Sequence, residues 1–180
     1  ISVDPCGGGG SSTQDAAVIE FNFVPLTPSI QFQYVFASEE YPEFVCTGFN
    51  DVFGFFISGP GLPIQNIALI PASNTYVGIN TVNFSNNSTY FIGNPTNSTI
   101  TEFDGFTSVF TANATGLIPC ETYTIKLAVA DVGDLILDSA VFLAANSFTV
   151  GSVDISSNAT INGNQNAYEG CGDGYFTFQR

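Results

Sequence analysis

Residues 30–36 read Ile-Gln-Phe-Gln-Tyr-Val-Phe, and residues 122–129 read Thr-Tyr-Thr-Ile-Lys-Leu-Ala-Val. In the first run Ile30, Phe32, Tyr34 and Phe36 alternate with Gln31, Gln33 and Val35. In the second, Tyr123, Ile125, Leu127 and Val129 alternate with Thr122, Thr124, Lys126 and Ala128. A period of two puts the large side chains on one face of an extended chain, so both runs read as half-buried strands. Working outward, further strand-like runs lie at 17–24, 52–58, 65–70, 77–83, 106–111, 135–144, 147–155 and 174–179. Pro and Gly clusters at 25–28, 59–63 and 93–95 punctuate them. Val52-Phe-Gly-Phe-Phe-Ile57 has few polar breaks and reads as a central strand buried on both faces. No stretch shows a helical period with caps. The expected fold is all-β: an antiparallel β-sandwich, jelly-roll-like, with extended terminal arms.

Three segments follow. Residues 1–14 form an extended arm and a Gly-rich hinge, Gly7–Gly10, which lacks the Gly-Lys-Ser/Thr ending of a phosphate cradle. Residues 15–150 form the sandwich. Residues 151–180 form a C-terminal β arm, too short to bury a core alone, with Gly174–Gln179 as a lone strand. Asn162, Asn164 and Asn166 faintly echo a calcium loop, but Ala167 stands where its glycine belongs. The absence of Met points to a processed chain or a piece of a longer one.

Charge narrows the function. The 180 residues carry 16 Asp and Glu against 2 Lys and Arg, a net charge of −14, with Lys126 and Arg180 the basic pair. Such a chain repels phosphate backbones and anionic membranes, so nucleic acid is excluded as a partner. No run of about 18 apolar residues exists, so membrane insertion is not expected. With no His, the usual general base and every imidazole metal site are missing. Lys126 lies on the solvent-side phase of its strand and suits a salt bridge.

Four cysteines, Cys6, Cys46, Cys120 and Cys171, are widely spaced without a CxxC pair. Zinc is disfavoured, and disulfides in an extracellular or cell-surface setting are favoured. The expected pairing is Cys46–Cys120 within the sandwich and Cys6–Cys171 between the arms, with four buried thiols as the alternative. Sequons at Asn83, Asn86, Asn87, Asn97, Asn113 and Asn158 are candidate glycan sites and mark 83–99 and 111–116 as polar, exposed, loop-like stretches.

The acids gather in turn-rich blocks. Glu39, Glu40, Asp51, Asp131, Asp134 and Asp138 are the candidate metal ligands, because two basic residues cannot neutralise them. Calcium, with about six to eight oxygen ligands and tolerant geometry, is the candidate cofactor. A solvated acidic rim whose carboxylates cap loop N–H groups is the competing reading. Glu39 or Glu40 with Asp51 or Asp131 would also suit glycoside hydrolysis, but no Trp platform accompanies them, and no enzyme is expected. Tyr41, Phe44 and Phe49 suit either a binding patch or packing of their own loop, with packing favoured.

Several blocks are familiar. Phe36-Ala-Ser-Glu-Glu-Tyr-Pro-Glu-Phe44 and Phe49-Asn-Asp-Val-Phe-Gly-Phe-Phe-Ile-Ser-Gly-Pro-Gly61 resemble the choice-of-anchor L family of bacterial surface proteins. So do Asn66–Pro71, Ile79–Asn83, Phe103–Thr107, Tyr123–Asp134 and Asp138–Leu143. The resemblance covers about residues 15–150. It implies a secreted β-rich domain of a large surface protein and no enzymatic activity. The tail Tyr168–Phe178 resembles the first strand of a Calx-beta-like domain. The resulting expectation is a structural subunit of an extracellular bacterial filament or surface layer. It would be a homopolymer joined by strand addition through its terminal arms and stabilised by disulfides and calcium. The alternative is a calcium-dependent adhesin or carbohydrate-binding module of a larger cell-surface protein, with glycans as partners.

Overall fold

A computed structural model of the chain describes residues 5–6, 12–95, 101–134 and 136–148, and the backbone of 154–159 and 174–179. The strands are β1 (Thr13–Phe23), β2 (Ser29–Ser38), β3 (Val52–Gly59), β4 (Leu62–Asn66), β5 (Val77–Gly78), β6 (Phe91–Gly93), β7 (Gly105–Thr107), β8 (Phe110–Thr115), β9 (Tyr123–Val132), β10 (Ser139–Leu143), β11 (Asp154–Ala159) and β12 (Gly174–Gln179). A single 3-10 turn, Ser88–Tyr90, is the one helical element among the described residues. All pairings are antiparallel.

Two five-stranded sheets face each other as an antiparallel β-sandwich. The first has the order β1-β9-β3-β4, with β5 also on β3; the second has the order β10-β2-β7-β6, with β8 also on β2. The alternation that predicts strands at 30–36 and 122–129 also assigns their buried phase. Ile30, Phe32, Tyr34 and Phe36 meet Phe53, Phe55, Ile57, Tyr123 and Ile125 across the sandwich. Phe32 packs edge-on to Phe55 at 4.0 Å between ring centroids, and Tyr34 sits 5.1 Å from Phe53. Each buried aromatic stabilises the fold by roughly 2–3 kcal/mol through the surface it removes from water. The Tyr34 hydroxyl is buried without a hydrogen-bond partner, and burial alone pushes its ionisation far above the ordinary range.

Strand β3 is central, as expected, but only its inner face is fully buried. Phe53, Phe55 and Ile57 point into the core, whereas Val52 and Phe56 are half-buried. Phe56 folds its ring over Gly54, where a Cβ would lie 2.5 Å from the Phe56 Cε2. Other boundaries shift where side-chain hydrogen bonds replace a ladder. The run 77–83 keeps only β5, because the Asn83 amide donates to the Ile79 carbonyl while its Oδ1 accepts from Ser85 and Asn86 N–H. The run 106–111 is divided between β7 and β8. The run 65–70 ends as a strand at Asn66, whose Oδ1 accepts from Phe55 and Ala68 N–H.

Two expectations about the ends are corrected. Gly174–Gln179 is not a lone strand: it pairs along its length with Asp154–Ala159 in a separate two-stranded sheet. Cys46 bonds to Cys6, with Cα atoms 5.0 Å apart, and not to Cys120; the Cys6–Cys171 pairing falls with it. The reason is distance along β9. Cys46 lies in the 39–50 loop, beside the C-terminal end of β9, where Asn50 N–H donates to the Val132 carbonyl at 3.1 Å. Cys120 precedes the N-terminal end of that ten-residue strand, with its N–H donating to the Pro25 carbonyl. About 30 Å of strand separates the two. Ile1–Asp4, the glycine hinge, Asn97, Asn162–Asn166 and Cys171 lie outside the described residues, as does the side chain of Asn158.

Candidate functional site

The end of β2, the start of β3, the end of β9 and the start of β10 meet at one end of the sandwich. Ser38 pairs with Ser139, and Val52 pairs with Ala130. This register brings all six predicted acids to that end. They occupy the 39–50 loop, residue 51 before β3, the end of β9 and the residues just after it, and the approach to β10.

Three of the six cap backbone N–H groups. Asp51 is buried, and its Oδ1 accepts from Val132 N–H at 3.2 Å while its Oδ2 accepts from the Ser139 hydroxyl at 2.7 Å. Its carboxylate thereby ties β9 of one sheet to β10 of the other. Glu39 N–H donates to the Asp138 carbonyl, and Asp138 N–H donates back to Glu39 Oε2. Asp134 Oδ1 accepts from Ile136 N–H. Between Asp131 and Asp134, Gly133 has a φ of +112°, and a Cβ there would lie 2.7 Å from the Gly48 carbonyl oxygen. Only glycine lets the chain leave β9 beneath the 39–50 loop in this way.

Glu40 differs from these. It is 1% exposed, and its Oε2 has no hydrogen-bond partner. Burial first, then the charges of Asp51, Asp134 and Asp131, push its carboxyl up to about 7. Asp131 is pushed up to about 6 by burial, then by Asp51, Asp15, Asp138 and Asp134. Asp51 is raised by burial and by Asp134 and Asp138, against the lowering effect of its two hydrogen bonds. Lys126 supplies no relief: it pairs with Glu20 at 3.8 Å, as its strand phase suggests, about 17 Å along β9 from Asp131. Among the described residues no three His, Cys, Asp or Glu side chains close on one ion-sized point. A cation here would need main-chain carbonyls or water beside the carboxylates.

A pH dependence of unusual sign follows. Carboxyls whose folded-state pKa lies above the unfolded value hold extra protons in the native state, so their contribution is favourable at low pH and is lost as pH rises. For Glu40 and Asp131 the window runs from about pH 4, the ordinary carboxylate range, to about 7 and about 6 respectively. In chelator, the melting temperature is expected to be higher at pH 5 than at pH 8. A melting temperature that rises steadily across that interval would contradict the arrangement.

A second feature was not legible in the sequence. Strands β1 and β10 are the outer strands on the same side of the two sheets, and the sandwich is open between them. An apolar groove of about 280 Å³ runs there, lined by Ala17, Ile19, Leu127, Val129, Val141 and Leu143. Phe148 packs edge-on against Phe21 and Phe23 of β1. Strand β1 is exposed along almost its whole length, with Val18 at 49%, Ile19 at 60% and Phe21 at 40%.

The remaining candidates are placed plainly. Tyr41 is buried and donates to the Val82 carbonyl, while Phe44 and Phe49 pack edge to face. Phe44 and Phe49 pack their own loop, as favoured, whereas the Tyr41 ring leaves the loop for the core and meets Phe91 at 4.8 Å between centroids. Asn83 is buried and Asn86 and Asn87 donate to Asn80 and Thr81 carbonyls, so these sequon amides hold the 78–87 turn together. Asn113 faces solvent, but the 111–116 stretch is not a loop: residues up to Thr115 belong to β8, whose alternate Phe110, Ala112 and Ala114 enter the core. Ser38, Asn80 and Ser139 brace the acidic end without being foreseen, and Asn50 joins them. Asn80 Oδ1 accepts from Cys46 N–H, and Asn50 Oδ1 accepts from Asn80 N–H.

No curated protein and no solved structure matches the chain. Among the described residues no helix is long and apolar enough to cross a membrane. The choice-of-anchor L domain, a surface-protein domain rather than an enzyme family, matches residues 3–149. That span takes in both sheets of the sandwich and the whole acidic end, and the chain belongs to the choice-of-anchor L family.

Proposed function

We propose that this cell-surface domain is a structural unit of an extracellular bacterial filament or surface layer, and that copies join by strand addition on the open β1 side. The observation that carries the reading is β1 itself. It is an eleven-residue edge strand whose outer side meets no strand among the described residues, with apolar side chains exposed in both phases. Edge strands of soluble proteins are ordinarily short, charged or covered, because their unpaired backbone groups recruit other strands. Between Ala16 and Phe23 the one charged residue is Glu20, and Lys126 pairs with it.

The occupant is the C-terminal hairpin of a second copy. An isolated two-stranded sheet is marginal in water and gains from a third strand. β11 and β12 form such a sheet, and the sequence Tyr175-Phe-Thr-Phe178 has the alternation that suits an apolar groove. Each copy then offers one donor hairpin and one acceptor edge, a head-to-tail contact that yields open filaments when the rotation does not close. The Cys6–Cys46 bond suits an oxidising exterior.

The test compares the full chain with Ile19→Lys by electron microscopy and sedimentation. Position 19 is more than half exposed, so lysine there is compatible with the fold but places a charge in the groove. The native chain is expected to elongate with concentration and the variant to stay monomeric. A native chain that remains monodisperse at high concentration, its hairpin docked on its own β1, would end the reading. A calcium-dependent adhesin or carbohydrate-binding module is the second reading. The acidic end favours its calcium half, whereas the burial of Tyr41 and the mutual packing of Phe44 and Phe49 leave no aromatic platform there for sugar.

A further inference from the structure

We propose that the acidic end binds one hard divalent cation of calcium size, with Glu40 as its buried carboxylate ligand and Asp51 and Asp131 beside it. The inference is independent of strand addition. It starts from an orphan: Glu40 Oε2 is buried and unpartnered although the residue is 1% exposed. The charges of Asp51, Asp134 and Asp131 at the same end of the sandwich act on it, and Asp51 and Asp131 are themselves buried. A proton alone does not resolve this. A neutral carboxyl still has a hydroxyl and a carbonyl oxygen to satisfy, and an unpaired buried polar atom is costly in either form.

A cation satisfies the oxygen and the charge together. Lys126, the one basic residue among those described, is engaged with Glu20 about five strand residues away from Asp131. The ligands offered are carboxylate oxygens, with no imidazole or thiolate among them. That donor set suits a hard ion and not zinc or copper. Because no three acids already close on one point, the shell takes its remaining oxygens from main chain and water, which calcium accepts more readily than magnesium with its strict octahedron.

The experiment is a calcium titration of the full chain, stripped with chelator, read by melting temperature and by calorimetry. One saturable site is expected, with an upward shift of about 5–10 °C at one hundred times the dissociation constant. Magnesium at matched ionic strength should shift it much less. Glu40→Gln keeps the shape and removes the charge. It is expected to lose the calcium shift while melting, without calcium, at or above the parent temperature. Should Glu40→Gln not fold, Asp131→Asn reads the same loss as at least tenfold weaker calcium binding. A parent with no saturable response to millimolar calcium overturns the proposal. So does an equal response to magnesium, or a Glu40→Gln variant with the full shift.

Discussion

Replacing Cys6 and Cys46 together by serine is expected to lower the unfolding free energy by about 4 kcal/mol. The bond closes a covalent loop with a sequence separation of 40, and the loop-entropy relation gives about 4 kcal/mol for that length. For a domain of this size the loss corresponds to a fall in melting temperature of about 10 °C. The double variant is preferable to either single one, because a lone thiol would invite exchange with Cys120 or Cys171. Denaturant unfolding under non-reducing conditions is the measurement. Coincident midpoints would mean that the N-terminal arm is not pinned to the 39–50 loop in solution.

Asp51→Ala is expected to cost about 3 kcal/mol, because it strands the Val132 N–H and the Ser139 hydroxyl together. The loss is not local, since the two donors belong to different sheets. Asp51→Asn should cost much less. Its carbonyl oxygen still accepts from Val132, its amide donates to the Ser139 hydroxyl, and the repulsion from Asp134 and Asp138 is relieved. Thermal unfolding of the pair in chelator separates lost hydrogen bonds from lost charge. Equal stability of the two variants would show that the bridge between sheets contributes nothing.

The sandwich was readable because its two longest core strands keep a strict alternation, and burial follows that phase residue by residue from Ile30 to Phe36 and from Tyr123 to Leu127. The acidic end was readable in part. Unneutralised charge drew attention to six residues, and the strand register gathers them at one end of the sandwich. Composition alone did not separate the carboxylates that cap, such as Asp51 and Glu39, from Glu40, whose Oε2 is buried without a hydrogen-bond partner. That division depends on which N–H groups the fold leaves facing each acid. Ser139 was invisible for the same reason: a serine after Asp138 is ordinary until the register sets it opposite Ser38 and within reach of Asp51. The cysteine pairing depends on which end of β9 each cysteine occupies, and spacing along the chain does not encode that. The groove escaped because Ala17, Ile19 and Phe21 have the alternation of core residues, yet no strand of the second sheet covers them.

The placement of the Cys6–Cys46 bond governs how the domain would respond to being pulled from its two ends. Tension entering at the N-terminus crosses the sulfur bridge and passes directly into the 39–50 loop, so β1 and β2 sit inside a closed covalent bypass. A strand exposed along almost its whole length is thus the one that traction cannot peel away. About 140 Å of contour stays locked until the bridge is reduced, leaving the edge available under load.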